Sequence, residues 1–203
     1  MKHMKKNGFT LIELLVSVAL FSIVMVVALG SLVALSSAVR RAEALDTSTN
    51  NLAAALDSMS RAIRMGGRYH CGAGGVLTNP NDCPTLATAA PSFTFQDGNT
   101  PNHQITYCLS DGAVGSHTCN ISTSCGAGLL CTVLRSKDGG PFSALTSTEV
   151  NVSTLAFMVA GSSSGDLIQP KVILLLVGTV SINKDTISNF KLQTSVTQYL
   201  YDQ

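Results

Sequence analysis

Residues 5–16 read KKNGFTLIELLV, and this stretch decides the fold of the chain. Two lysines and a glycine precede a phenylalanine, and Glu13 follows inside an otherwise apolar run. From position 14 to position 35 there is neither a charged residue nor a proline. At about 1.5 Å per residue, this run would extend about 33 Å as a helix, which is enough to cross the hydrocarbon core of a bilayer. The stretch therefore predicts a membrane-spanning helix near the N-terminus.

The apolar run is too long for a secretory signal peptide, and no small-residue cleavage site follows it before Arg40 and Arg41. We therefore expect the segment to stay attached as an anchor. Three lysines precede the run and two arginines follow it, which favours a cytoplasmic N-terminus. The six cysteines all follow the run, so the same orientation places them outside the membrane, where disulfides form.

Glu13 is the residue that a simple anchor does not explain. A carboxylate at membrane depth is costly and needs a partner. The alternative is an interfacial glutamate that reaches the lipid headgroups. The residues around Glu13 decide between these two interpretations.

The pattern resembles the prepilin leader and methylation motif of type IV pilins and type II secretion pseudopilins. A short basic leader, Gly8, Phe9, three residues, Glu13 and an uninterrupted apolar helix carry the resemblance over residues 5–35. It implies that prepilin peptidase, a membrane aspartyl peptidase, cuts between Gly8 and Phe9 and methylates the new amino group of Phe9. It also implies that Glu13 pairs with the N-terminal amine of a neighbouring subunit, which supplies the partner that a buried charge needs.

The same resemblance implies a division of the chain and a function. Residues 1–8 would be the leader, residues 9–65 a long helix with its transmembrane part at about residues 12–35, and residues 66–203 an exported domain. The protein would be a structural minor subunit of a type IV pilus or type II secretion pseudopilus. Many major pilins carry a proline near the position of Gly30, and this chain does not, which favours a minor subunit.

The implied partners are prepilin peptidase, other pilin or pseudopilin subunits, the inner-membrane assembly platform and the membrane itself. The protein would cross the inner membrane once, with its C-terminal domain exported, before it enters the pilus or pseudopilus. The net charge of +1 gives no sign of a nucleic-acid partner. We expect no cofactor and no bound metal.

Apolar residues continue beyond the membrane segment at helical spacing, at Leu45, Leu52, Leu56, Met59 and Ile63. The glycine pair at positions 66 and 67 is a stop signal, so one helix is predicted from about residue 10 to residue 65. Strand patterns then follow at residues 92–96, 105–109, 129–135, 150–159, 171–182 and 190–201. The fold class is therefore α+β, with the long helix packed on a mainly antiparallel sheet.

Two details of this prediction concern single segments. Residues 68–90 are rich in glycine, proline and asparagine and are expected to form an irregular loop with at most one short strand. Residues 172–177 are apolar without alternation, so we expect a central strand that the helix covers.

The six cysteines lie at positions 71, 83, 108, 119, 125 and 131, and no C-x-x-C occurs among them. Three disulfides are expected from Cys71, Cys83, Cys108, Cys119, Cys125 and Cys131, with connectivity left open by the sequence. The alternatives are a mixture of disulfides and free thiols, or metal ligation helped by His70 and His117.

Other function classes find less support in the residues. Residues 161–165 match G-x-S-x-G, but a strand pattern follows instead of the helix of a nucleophile elbow, and no histidine follows Ser163. We therefore expect no enzyme; a tethered enzyme is the weaker alternative. A membrane-anchored, adhesin-like binding module that does not polymerise is the other alternative, with residues 108–131 as its surface.

Overall fold

The computed structural model describes residues 9–72, 77, 79–100, 102–113, 118–163, 168–183 and 186–199. The leader, including Gly8, lies outside the described residues. The chain forms two compact units, Met1–Ala44 and Leu45–Gln203, and each is described by itself.

The helix α1 covers Leu11–Met65, as the hydrophobic pattern predicts. It contains no proline, and it ends where the N–H of Gly66 donates to the carbonyls of Ala62 and Ile63, both at 3.0 Å. Glycine suits this end because a Cβ at Gly66 would lie 2.4 Å from the Phe95 ring. Gly66, which the sequence predicts to end the helix, therefore also lets the backbone lie close to the buried Phe95 ring.

In the second unit, α1 turns one stripe of residues into the core. The buried positions are spaced three and four apart, as one face of a helix requires, at Ser48, Leu52, Ala55, Met59 and Ile63. Of the predicted stripe, Leu45 and Leu56 are only half-buried. Full burial of a leucine, methionine or isoleucine side chain stabilises a fold by about 1.5–3 kcal/mol, so this stripe contributes strongly to the unit.

In the described residues, eight strands form two antiparallel sheets. The first sheet has five strands in chain order: β1 Gly67–Cys71, β2 Ser92–Gln96, β3 Gln104–Leu109, β4 Val133–Lys137 and β5 Ser143–Ala144. The second has three strands in chain order: β6 Val150–Ala160, β7 Lys171–Asn183 and β8 Thr186–Thr197. One long helix and antiparallel sheets confirm the predicted α+β, pilin-like architecture.

Aromatic side chains fill the space between these elements. Phe93 stacks on Phe95 at 5.2 Å between ring centroids, and on Phe157 of β6 at 5.5 Å. Tyr107 stacks on Phe95 from the neighbouring strand at 5.9 Å. Because Phe93 and Phe157 belong to different sheets, the two sheets share one core with the stripe of α1.

Some strands differ from the sequence prediction. The structure has one short strand outside the predicted set, β5, and the one short strand allowed within the predicted loop is β1 at its start. The third predicted strand starts at Val133 and not at residue 129, because Cys131 uses its N–H to bond the Asn151 side chain and its carbonyl to accept from Val152. The last strand begins at Thr186, earlier than predicted, and ends at Thr197.

β7 is the central strand of its sheet, as predicted, but only one of its faces is fully buried. Val172, Leu174 and Leu176 belong to the core that includes residues of α1. The side chains between them, such as Ile173 and Leu175, are half-buried. The continuous apolar run therefore does not correspond to a strand that is covered equally on both faces.

Candidate assembly site

The N-terminal motif occupies the start of α1. The carbonyl of Thr10 accepts hydrogen bonds from the N–H groups of Glu13 at 3.1 Å and Leu14 at 3.2 Å, which makes Thr10 the N-cap residue. Thr10 and Glu13 have the spacing of a capping box, which favours a helix start here. Phe9 directly precedes the cap and is 79% exposed. Glu13 therefore lies in the first turn, where the helix dipole favours a negative charge.

The helix that follows presents apolar side chains on every face. In the described structure one helix is long and apolar enough to cross a membrane, with a mean hydropathy of 2.7 over its best window and none of that window buried. Exposed members include Leu14, Leu20, Phe21, Ile23, Leu29 and Leu35. An apolar surface of this size on all sides requires lipid or protein neighbours.

Serine side chains interrupt this apolar surface, and four of them bond to the backbone of their own helix. Ser17, Ser22, Ser31 and Ser37 each donate to the backbone carbonyl three or four residues earlier, at 2.8–2.9 Å. In hydrocarbon, every polar group has to be satisfied within the protein. The four side chains meet this requirement within one helix.

Gly30 lies in the same segment and has open space around it. A Cβ added there would meet no atom of the chain within 4 Å. Gly30, Ala34 and Ala38 form a row of small residues four apart, which lets another helix approach closely.

All six cysteines are paired in the structure, each with its neighbour along the chain. The bridges are Cys71–Cys83, Cys108–Cys119 and Cys125–Cys131, with Cα separations of 6.0, 5.6 and 6.0 Å. His70 Nδ1 lies 2.8 Å from the carbonyl oxygen of Asn79. Among the described residues, no group of three or more His, Cys, Asp or Glu side chains is placed to hold a metal ion. His117 lies outside the described residues.

Two of these bridges hold a loop surface that carries apolar side chains. Cys125–Cys131 closes a short loop, and Cys108–Cys119 fixes the preceding segment to β3. Ile121 is 97% exposed and Leu130 is 69% exposed. The sequence from position 112 to position 134 contains no Asp, Glu, Lys or Arg. The disulfides therefore support an uncharged, partly apolar surface.

The G-x-S-x-G match has a different environment from a nucleophile elbow. The carboxylate of Asp82 accepts hydrogen bonds from the N–H groups of Gly161 at 2.9 Å and Ser162 at 3.0 Å, and from the Ser162 hydroxyl. Ser163 is exposed, and residues 164–167 lie outside the described residues. Asp82 thus fixes a loop that is distant in sequence.

The sequence signals that identify Phe9, Glu13 and the apolar helix lie together at one end of α1, as just described. Asp82 was not recognised as a long-range contact because a single aspartate in a turn-like stretch carries no signal for a partner 79 residues away.

One protein-family model matches the chain: the prokaryotic N-terminal methylation motif, over residues 3–29. No curated protein and no solved structure is significantly similar to the chain. The matched residues include positions 3–8 of the predicted leader and positions 14–29 of the apolar run. The motif, and the long apolar helix that continues from it, are consistent with a type IV pilin-like protein and support its role as a substrate of prepilin peptidase.

Proposed function

We propose that the protein is a minor structural subunit of a type IV pilus or type II secretion pseudopilus. The observation that carries the proposal is the methylation motif at the start of a helix whose apolar side chains are exposed all round. A helix of this kind is stable in a bilayer, and it is equally suited to a bundle of similar helices. The exported domain, residues 66–203, would be carried by the N-terminal helix.

Processing is the first step that the proposal requires. Prepilin peptidase would cut between Gly8 and Phe9 and methylate the new amine of Phe9. Gly8 suits a cleavage site because a residue without a side chain lets the backbone be extended and approached closely. The mature chain would then start one residue before the N-cap of α1.

Peptide mass spectrometry of the protein from native membranes tests this step. We expect a mature N-terminus at Phe9 with one added methyl group. The same chain produced in cells that lack prepilin peptidase is the control and should keep residues 1–8. A mature terminus at Met1, or anywhere beyond Leu35, contradicts the proposal.

Assembly depends on the charge of Glu13 in this proposal. Cleavage creates a positive amine at Phe9, beside the positive end of the helix dipole. In a bilayer or a helix bundle, an unpaired carboxylate is costly. Pairing Glu13 of one subunit with the Phe9 amine of its neighbour compensates both charges and sets the axial register between the two helices.

Replacement of Glu13 separates a filament subunit from a simple tether. We expect Glu13→Ala to insert into the membrane and to be cleaved, yet to be lost from assembled filaments. Glu43→Ala, which changes a glutamate of the same helix outside the apolar run, is the matched control and should be incorporated normally. Normal incorporation of Glu13→Ala would contradict the pairing role, and unchanged assembly after deletion of the gene would contradict the subunit role.

A second candidate function is favoured by the loop surface held by Cys108–Cys119 and Cys125–Cys131. Its exposed residues Ile121 and Leu130 suit a membrane-anchored binding module that does not polymerise. Mechanical shearing of intact cells distinguishes the two functions. A filament subunit appears in the sheared fraction together with other pilins, whereas a tethered module stays with the membranes.

A further inference from the structure

The two sheets have four edges, and three of them are short or covered. β5 forms one edge and is two residues long. At the β1 edge, Cys71 donates its N–H to the carbonyl of Asn81 at 2.9 Å, and Asn81 donates to Tyr69 at 3.2 Å. Short strands and covering loops are the usual protection of a sheet edge against pairing with other chains.

The β6 edge is covered at several points along its length. Cys83 and Val159 exchange backbone hydrogen bonds of 2.9 and 3.2 Å, and Ala90 and Phe157 exchange bonds of 3.1 and 2.9 Å. Further along, the N–H of Cys125 donates to the β6 strand at 2.8 Å. Two of these covering residues, Cys83 and Cys125, are themselves disulfide-bonded.

β8 is different from these three edges. It pairs with β7 from Ile187 opposite Ser181 to Thr197 opposite Lys171. In the part of the chain that the structure describes, no strand or bridge pairs with its other side. Successive residues of an antiparallel edge strand point their N–H and C=O groups alternately toward and away from the paired strand. About half of the backbone groups of β8 therefore form an open hydrogen-bonding edge.

The side chains of β8 include few of the charged residues and none of the prolines that would hinder pairing with a second strand. Asn189, Gln193 and Ser195 are exposed and uncharged, and they share the face that points away from the core. Lys191 is the one charged residue in the sequence from position 186 to position 199. β8 contains no proline, and its length of twelve residues is above the usual range for a strand.

We propose that the open edge of β8 binds an extended strand of a different protein chain, which carries an acidic residue opposite Lys191. The backbone chemistry of the edge specifies an extended polypeptide, since only such a partner offers donors and acceptors at the matching repeat. Lys191 specifies the charge, because opposite charges directly across a strand pair stabilise it and like charges destabilise it.

Lys191 also argues against a second copy of this chain as the partner. The open edge of a copy is its own β8, and residues that lie opposite each other in an antiparallel pair share a face of the sheet. The registers nearest to full overlap of two such strands therefore place Lys191 opposite Lys191 or Gln193 of the copy. The two lysines would then be close neighbours across the interface. This inference goes beyond the proposed function, and it rests on the strand edge and not on the methylation motif.

Site-specific photo-crosslinking in producing cells tests the proposal on the full-length protein. A photoreactive phenylalanine replaces Asn189, Gln193 or Ser195 in turn, and the crosslinked residues of the partner are identified by mass spectrometry. We expect the three positions to reach one continuous segment of one other protein, at partner residues about four and about two apart, which is the spacing of the probes themselves and is expected of a paired strand. The same probe at Ser143, an exposed residue on the short edge strand β5, should not reach that segment.

A charge change gives an independent measurement. With the probe at Ser195, Lys191→Glu should lower the crosslink yield by about two- to fivefold, and Lys191→Arg should preserve it. Lys171→Glu is the matched control, since Lys171 is exposed on the same sheet face but lies on the inner strand β7. Crosslinks that scatter over several segments, that join two copies of this chain, or that do not form would each overturn the proposal, as would equal effects of the two glutamate substitutions.

Discussion

The hydroxyl of Tyr69 donates a hydrogen bond of 2.6 Å to the carbonyl oxygen of Ile63, in the last turn of α1. Both residues are buried, so β1 satisfies a carbonyl at the helix end where intrahelical donors run out. Burial also raises the pKa of the Tyr69 hydroxyl, which keeps it a donor throughout the physiological range. The contact fixes the end of the helix to the first strand of the sheet.

Tyr69→Phe should therefore lower the free energy of unfolding by about 1 kcal/mol. The loss stays moderate because the N–H of Gly66 still donates to the Ile63 carbonyl. Chemical denaturation of the purified full-length protein in detergent measures the change. Tyr199→Phe removes a hydroxyl from an exposed tyrosine and should have no measurable effect. Equal stability of the Tyr69→Phe variant and the parent would contradict the interpretation.

The Cys71–Cys83 bridge should contribute more to the free energy of unfolding than the Cys125–Cys131 bridge. It closes a longer loop, with a sequence separation of 12 against 6, and both of its cysteines are buried. We expect Cys71→Ser with Cys83→Ser to lower the free energy of unfolding by about 3 kcal/mol, and the corresponding change at the second bridge to cost less. Denaturation with and without a thiol reductant measures both. The order is wrong if the second pair of substitutions costs more.

Two glycine-to-alanine substitutions should have opposite effects on the stability of the chain. A Cβ at Gly178 of β7 would lie 2.3 Å from the carbonyl oxygen of Asn151 and 2.7 Å from the Phe190 ring. Gly178→Ala should destabilise the unit that contains β7 by about 1–3 kcal/mol, as overpacking does. Gly30→Ala meets no neighbour and should favour the helix by up to about 1 kcal/mol. Thermal unfolding monitored by circular dichroism compares the two variants.

Asp97 should make stability fall on the acid side of neutrality. Burial alone raises the pKa of Asp97, but hydrogen bonds from Thr100 and Asn99 and the charges of Lys137 and Arg135 together lower it below its ordinary value of 3.8. Because the pKa is lower in the folded state, the stabilisation is present above the ordinary pKa and is lost as the pH falls through the folded pKa.

Denaturation at a series of pH values between about 2 and 7 tests the role of Asp97. Asp97→Asn should flatten the fall in stability below pH 4, and Thr100→Ala should move that fall to a higher pH. Thr85→Ala, which alters a surface hydroxyl that lies 3.0 Å from Thr88, is the control. A pH profile of Asp97→Asn that matches the parent would show that another group causes the acid sensitivity.

The helix and most strands follow from the sequence because their signals are local. A charge-free run, a stripe of apolar residues and a glycine pair define α1, and strand alternation defines β2, β3 and β6. The division into two sheets does not follow from local pattern, since it depends on the contact between Phe93 and Phe157 across the core. Likewise, the late start of β4 reflects a hydrogen bond that the N–H of Cys131 donates to the side chain of Asn151, 20 residues away.

The candidate site and the surfaces around it also include features with a local sequence signal and features that depend on distant contacts. Phe9 and Glu13 were identified from a short motif, because the chemistry of processing and membrane insertion acts on adjacent residues. The pairing of the cysteines was left open, since 15 pairings satisfy the same sequence. The open edge of β8 was also out of reach, because whether a strand is an edge depends on which other segments pair with it.

In the proposed function, the apolar helix passes from the bilayer into a bundle of helices, and its serine hydroxyls affect that step. Ser17, Ser22, Ser31 and Ser37 bond only to carbonyls of their own helix, so these groups have no directional requirement for any neighbour. The segment can rotate, or exchange lipid tails for protein side chains, without breaking a hydrogen bond at these positions. In the proposed assembly, extraction from the bilayer would then be an exchange of one apolar environment for another, and Glu13 would be the acidic group of the segment that distinguishes a correct neighbour from lipid.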